Sequence, residues 1–404
     1  MSHSASPKLG LQANLRQFLL LVVVNAFVGA MVGLERVILP VMAGTRWGVE
    51  SYVAALSFIV TFGIAKALAN SVAGRLAERA GRKRLLILGW LLGIPVPLLL
   101  MWAPSWGWVV AANALLGLNQ GFSWTMTVVM KIDLVGPKQR GLALGINESA
   151  GYAAVSLAAL VSGFWLAAGS EEWAFTAGLV IAIIGLLVSL FAVHDTMEHV
   201  TLEQQSAPQG EPPSWSSVFQ RVSWKERHLH AASQAGLVNN MNDGLAWGIL
   251  PLFFLQAGVG QENTAWLLAA YPLIWGLGQL FTGGLSDRIG RRGPIALGMI
   301  LQGLSILWLL QASSWSGYAV AMIGMGIGTA LVYPTLLAVI SDHSEPVWRS
   351  TALGVYRLWR DGGYVVGAVL AGLLADMLNP ESAILWIGII TILSGLWAGW
   401  LLRS

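Results

Sequence analysis

Gly74-Arg-Leu-Ala-Glu-Arg-Ala-Gly-Arg-Lys83 and Gly283-Gly-Leu-Ser-Asp-Arg-Ile-Gly-Arg-Arg292 are the two stretches that decide the fold. They stand 209 residues apart, and the same displacement carries Asp133, Pro137, Arg140 and Gly145 onto Asp342, Pro346, Arg349 and Gly354. Near the start of each half, Gly33-Leu34 with Ile38-Leu39-Pro40 returns as Gly244-Leu245 with Ile249-Leu250-Pro251. Separated matches at nearly fixed spacing are the mark of an internal repeat. The chain is therefore read as two copies of one unit.

Composition says what surrounds that unit. Of the 404 residues, 56% are hydrophobic and 11% charged, where a soluble domain carries about 25% charged residues. A bilayer-spanning helix needs roughly 20 apolar residues. Twelve such stretches are expected, at 17–41, 51–73, 85–103, 107–131, 141–167, 172–193, 229–256, 263–284, 295–312, 316–340, 349–377 and 381–402. Little of the sequence remains for a soluble domain. The first run, Phe18 to Pro40, is too long for a signal peptide and recurs in the second half, so it is a retained helix. The fold class is an all-α membrane protein with 12 transmembrane helices in two pseudo-symmetric six-helix bundles. The bundles are 1–194 and 229–404, joined by a linker at 195–228 that holds Pro208, Pro212 and Pro213.

Charge gives the orientation. Eighteen of the 23 Lys and Arg fall in or beside the segments that become cytoplasmic when the N-terminus is inside. Basic residues favour that side, so both termini are expected in the cytoplasm of a bacterium, with the chain in its inner (plasma) membrane. Trp47, Trp102, Trp106, Trp108, Trp173 and Trp315 cluster near the opposite ends of the spans, where an indole can be half wet. In the linker, Trp215, Val218, Phe219 and Val222 have helical spacing, which suits either a helix lying on the membrane surface or a tether.

The decamer after the second span resembles the loop motif of the major facilitator superfamily, in Gly74, Leu76, Glu78, Arg79, Gly81, Arg82 and Lys83. Its second copy is Gly283, Leu285, Asp287, Arg288, Gly290, Arg291 and Arg292. The segments Asp133 to Gly145 and Asp342 to Gly354 resemble the loops before the fifth and eleventh helices of that family. The resemblance implies a secondary transporter whose loops latch the outward-open state, a role carried over to Glu78 and Asp287. It also implies that helices 1, 4, 7 and 10 line a cavity while helices 2 and 11, and 5 and 8, meet between the halves. Two departures stand against drug antiport. The fourth span offers Asn113 where many family exporters have Arg, and the fifth, Gly145-Ile-Asn-Glu-Ser-Ala-Gly-Tyr152, has no proline.

Ionisable residues inside spans are costly and mark pathways or pairs. Arg36, Lys66, Arg357 and Arg360 are the basic ones, and Glu35, Glu148, Asp243 and Asp361 the acidic ones. Arg357, Arg360, Asp361 and Tyr364 form one stripe of a helix. Lys66 is expected to pair with Asp361 across the interface of helices 2 and 11, unless Arg357 or Arg360 takes Asp361 within its own helix. Glu148, then Asp243, are the candidate proton carriers, and Arg36, Arg357 or Arg360 could meet an anionic group. Glu35, near an outer end, is expected to reach water. Trp124, Trp247 and Tyr333 are the cavity aromatics, and Tyr271, Trp275 and Trp359 are further ring candidates.

Other chemistry has no signature. There is no cysteine, no phosphate-cradling loop with lysine, and no metal spacing among the six histidines. The chain is read as a non-enzyme with no cofactor and no metal. Its partners are a small organic solute, protons and the lipid bilayer, with no nucleic acid, and it is read as a monomer. Proton-coupled export leads, with uptake or exchange of an organic anion as the alternative. A non-transporting receptor on the same fold ranks behind, because both loops are intact.

Overall fold

The computed structural model describes residues 8–136, 140–204, 213–345 and 347–403, without the side chains of Arg75, Glu78, Glu203 and Gln204. Pro137, Pro208, Pro212 and Pro346 lie outside the described residues. With no water in a bilayer core, a crossing chain must satisfy its own backbone, and among the described residues every regular element is helical. The first span is α1 (Leu15–Arg36) plus α2 (Ile38–Trp47), followed by α3 (Tyr52–Ala80), then α4 (Arg82–Gly93) with α5 (Pro95–Met101). Spans four to six are α6 (Trp106–Val135), α7 (Arg140–Ala167) and α8 (Glu172–Phe191). The linker holds α9 (Met197–Gln204), α10 (Trp215–Gln220) and a π turn (Arg221–Lys225). The second half repeats the order. It runs through α11 (Arg227–Gly248) with α12 (Leu250–Gln256), α13 (Gln261–Ile289), α14 (Arg292–Trp308), α15 (Trp315–Asp342), α16 (Arg349–Met377) and α17 (Pro380–Leu401).

Eight of these spans are long and apolar enough to cross a bilayer by length and composition alone. The other four, α6, α11, α14 and α16, complete the twelve. Three of them are rich in polar side chains, several of which bond inside the bundle. On α11, Asn239 donates to Gln302 and Asn242 accepts from Thr391. On α6, Gln120 donates to the Val28 carbonyl and Asn119 to that of Gly89. Such bonds between helices replace the water a polar side chain has lost.

Both halves break their first span within a residue of the same place, at Val37 and at Ile249. The cause is local. Pro40 and Pro251 have no N–H to give to the carbonyls four residues back, which belong to Arg36 and Trp247.

Glycine decides how closely the helices approach. A side-chain carbon at Gly29 or Gly33 of α1 would collide with the backbone of α7 at Gly151 or Val155. Gly363 and Gly367 of α16 bear in the same way on Leu237 and Met241 of α11. Between the halves the seams are α7 against α13 and α3 against α16. Ser149 and Ser156 donate across the first to the carbonyls of Gly276 and Ala269.

The decamers differ from their reading as loops. Gly74–Ala80 is the last part of α3, and only Gly81 interrupts the helix before α4 begins at Arg82. The second copy behaves alike, with Gly290 and Arg291 as the interruption before α14 begins at Arg292. The linker helix differs too. Val218 and Val222 are fully buried, Phe219 stacks on Trp359 of α16, and Trp359 donates to Ser223. It packs on the second half of the protein instead of on lipid. Of the six tryptophans expected at the interface, Trp102, Trp108, Trp173 and Trp315 are exposed. Trp47 and Trp106 instead pack on each other and donate to the Ala103 and Ala54 carbonyls.

Candidate functional site: a charged cluster between the halves

The end of the molecule that carries the two decamers is called the basic end here, and the opposite one the far end. Midway between them, Lys66 of α3 lies 3.8 Å from Asp361 of α16, so the pair expected across the halves is present. The alternative within the helix is present as well, with Arg360 3.6 Å from the same oxygen of Asp361. Asn70, one turn from Lys66, donates to the other oxygen at 2.5 Å and accepts from Thr125 of α6. Arg357 donates to Thr125 at 3.4 Å and so closes a loop of contacts through both halves. Arg360 donates to the hydroxyl of Tyr152 on α7 and lies over the Tyr333 ring at 4.1 Å.

Glu148 of α7 is the second centre. Trp124 and Asn147 donate to one of its oxygens at 3.0 and 3.1 Å, and the Tyr333 hydroxyl to the other at 3.3 Å. Trp124 and Tyr333 are 209 residues apart, so each repeat presents the same position to this one carboxylate. Glu148 itself corresponds to Arg357 by that displacement. Asp243 of α11 accepts from Tyr271 at 2.6 Å, and Tyr271 also meets Thr329. Trp275 lies against Tyr152, ring centroids 3.6 Å apart. Burial of Glu148, Asp243, Arg360 and Asp361 makes their partners decisive, since an uncompensated buried charge is far costlier than a paired one.

Arg36 and Trp247 also meet, 5.1 Å from guanidinium carbon to ring centroid. Trp359 faces the linker and takes no part in the cluster. Glu35 differs from expectation, because it is 4% exposed and accepts from Asn113 of α6. Lys131, at the end of the fourth expected span, is fully buried and donates to the Leu21 carbonyl. Its place at the end of a hydrophobic run gives no hint of that depth.

At the basic end, Arg82 bonds Asp133 at 3.2 Å and Arg291 bonds Asp342 at 3.0 Å, repeat counterparts of each other. Asp287 pairs with Arg291 of its own decamer. The Glu78 side chain lies outside the described residues. Among the described residues, Gly74, Gly283, Gly145 and Gly354 all have open space where a side chain would point. Arg79 and Arg288 lie in the last turns of α3 and α13. Asp195, from the linker, accepts from the Lys83 backbone N–H and holds the start of α4, a contact without sequence signal.

At the far end the halves are tied. Asp376, in the last turn of α16, accepts from Ser51 Oγ at 2.7 Å and from the N–H groups of Tyr52 and Val53 at 2.6 and 3.0 Å. Gln256 donates to the Tyr52 hydroxyl, and Leu56 packs where a side chain at Gly248 would stand. A carboxylate at a helix N-terminus meets both unpaired N–H groups and the positive end of the helix dipole. Asp376 escapes a sequence reading because one acid at the end of a span looks like a solvated terminus.

Two bundles joined by a linker, with charges buried between them, define a two-lobed polytopic membrane protein. The sequence profile of the Major Facilitator Superfamily matches residues 18–230 and 232–404, and the chain belongs to that family of transporters. It is 28% identical over 227 residues to the probable 4-methylmuconolactone transporter of Cupriavidus pinatubonensis, covering 56% of this chain and 52% of that protein. The chain thus spans about half the length of that relative. With the multidrug resistance protein MdtG of Dickeya zeae it shares 25% identity over 320 residues, 78% of this chain and 75% of the other. A solved bacterial homologue of the human lysosomal transporter Spinster superposes with a TM-score of 0.72 at 13% identity, over 95% of this chain and 96% of that one. That likeness is one of fold.

Proposed function

We propose that this chain is a secondary transporter that moves a small organic solute by alternating access, driven by protons. The observation that carries the reading is the grip on Glu148 by Trp124 of one half and Tyr333 of the other. A carboxylate bonded to both moving bodies can make its proton and their separation depend on each other. Lys66 with Asp361 gives the cluster a second tie that must be remade in the cycle. Asp243 is the second proton candidate. The decamers and both termini face the cytoplasm of the bacterial inner membrane, a placement supported by the basic residues. Export is favoured by the match to a multidrug resistance protein over most of both chains. Buried arginines support a second reading, uptake or exchange of an organic anion.

Two experiments test this. The chain has no cysteine, so single cysteines report access without background. Leu56→Cys, buried under the closed far end, and Gly354→Cys, in open space at the basic end, are labelled with an impermeant maleimide in vesicles of known orientation. Labelling at the two sites is expected to change in opposite senses between acidic and alkaline media. Parallel changes, or none, would remove alternating access. The second experiment follows transport driven by a pH gradient, which Glu148→Gln is expected to abolish while leaving exchange of solute intact. If Glu148→Gln and Asp243→Asn both keep gradient-driven transport, proton coupling through these acids is wrong.

A further inference from the structure

Arg36 is the one buried cation of the cluster whose whole guanidinium lacks a hydrogen-bond acceptor among the described residues. The side chain is 1% exposed, and its Nε, Nη1 and Nη2 are all without a partner. Five N–H donors in an apolar enclosure are costly when nothing accepts from them. Neighbouring acids are already engaged. Glu35 accepts from Asn113, and Asp243 accepts from Tyr271.

What the guanidinium does meet is a set of ring faces. Its central carbon lies 4.3 Å from the centroid of Phe62, 5.1 Å from that of Trp247 and 5.5 Å from that of Phe58. Trp247 stacks on Tyr364 at 5.5 Å and 19°, and Tyr364 meets Phe62 edge-on. A cation over a ring face recovers part of its lost hydration. No ring, however, satisfies the directed N–H bonds of the fork.

We propose that Arg36 is an anion-binding station that takes the carboxylate of a flat organic acid, with the acid's body laid against Phe62, Trp247 and Tyr364. Guanidinium and carboxylate match as two parallel hydrogen bonds, which a point charge cannot reproduce. The station lies toward the far end. Arg36 stands 21 residues beyond the start of α1 at Leu15, roughly 31 Å of helix at 1.5 Å per residue. Arg360 stands 11 residues beyond the start of α16 at Arg349, roughly 16 Å from the basic end. Tyr52, Gln256 and Asp376 close the route above Arg36 in this conformation. With that route shut, the rings hold the guanidinium in the anion's place. With it open, the free donors face the far side and the acid exchanges with that side at the guanidinium. This assignment rests on the alternating-access reading, which supplies the opening.

The test uses the full chain purified in detergent and titrated by calorimetry with benzoate and cinnamate, each beside its neutral amide. Both acids are expected to bind, and each amide at least about tenfold more weakly. Arg36→Gln is expected to lose about tenfold or more in affinity for the acids. Amides that bind as well as acids, acids that do not bind, or Arg36→Gln with unchanged affinity would each overturn the station. If Arg36→Gln does not fold, Arg36→Lys carries the test, since it keeps the charge and loses the fork. Unchanged acid affinity in that variant also counts against the proposal. Failure here is separable from failure of the transport reading. Cysteines at 56 and 354 that alternate in a protein blind to acids leave transport standing and remove the station. Acids bound through Arg36 in a protein whose cysteines do not alternate leave a ligand site without transport.

Discussion

Gly81 and Gly290 adopt φ of 89° and 85° with ψ of 151° and 165°, a backbone region that only glycine occupies comfortably. Gly81 is the single non-helical residue between its two spans, and Gly290 shares that place with Arg291, so each turn depends on its glycine. At Gly81 an added methyl would also come 2.9 Å from the Asp195 carboxylate. Strain of this kind costs about 1–3 kcal/mol. Gly81→Ala and Gly290→Ala are each expected to lower the thermal unfolding temperature of the detergent-purified protein, and Gly81→Ala by more. Equal melting of both variants and the parent would show that the turn adapts freely. The decamer itself was plain in the sequence, because glycines and basic residues recur at one displacement. Its helical state was not, since charged residues after an apolar run read as a loop. Among the charges, Lys66 could be set against Asp361 because the family resemblance implies that helices 2 and 11 meet, with Arg357 or Arg360 left as the alternative partner. The missing partner of Arg36 could not, because what surrounds it comes from α3, α11 and α16 at once.

At the scale of elements, α10 and its π turn show the limit of periodicity. The pattern of Trp215, Val218, Phe219 and Val222 gives an apolar face, and it cannot say whether lipid or protein covers that face. Ring contacts from Phe219 and Trp224 to Trp359 decide for protein. Because Trp359 precedes Arg360, the linker helix bears on the helix that carries the charged cluster. Val222→Asp would put an unpaired carboxylate into a site with no exposure. Proteolysis in the linker region is expected to become several-fold faster in that variant, with the two bundles left folded. A digestion rate equal to the parent's would place α10 outside the packed structure. Span boundaries were legible to within a few residues on the apolar sides. They ran short where α3, α6 and α13 continue into charged turns beyond the apolar stretch.

For the molecule as a whole, the far-end tie is the contact on which closure depends. Asp376 gathers three donors from the other half within 3.0 Å, and its amide analogue would offer one uncharged acceptor oxygen and an NH2 that accepts nothing. Asp376→Asn is expected to raise the labelling rate of Leu56→Cys several-fold while leaving the fold intact. Labelling that stays at the parent's rate would make the tie incidental. The seams beneath it are built differently, with backbones in near contact at Gly163 against Ala265 and Gly372 against Val53. Surfaces that fit this closely recognise each other by shape, without help from the peptide that joins them. The linker helix, meanwhile, stays with the second bundle. In terms of assembly, the protein is a heterodimer written as one chain. Its covalent join fixes the ratio of the two halves at one to one and brings them together at birth, while the seams alone define how they fit.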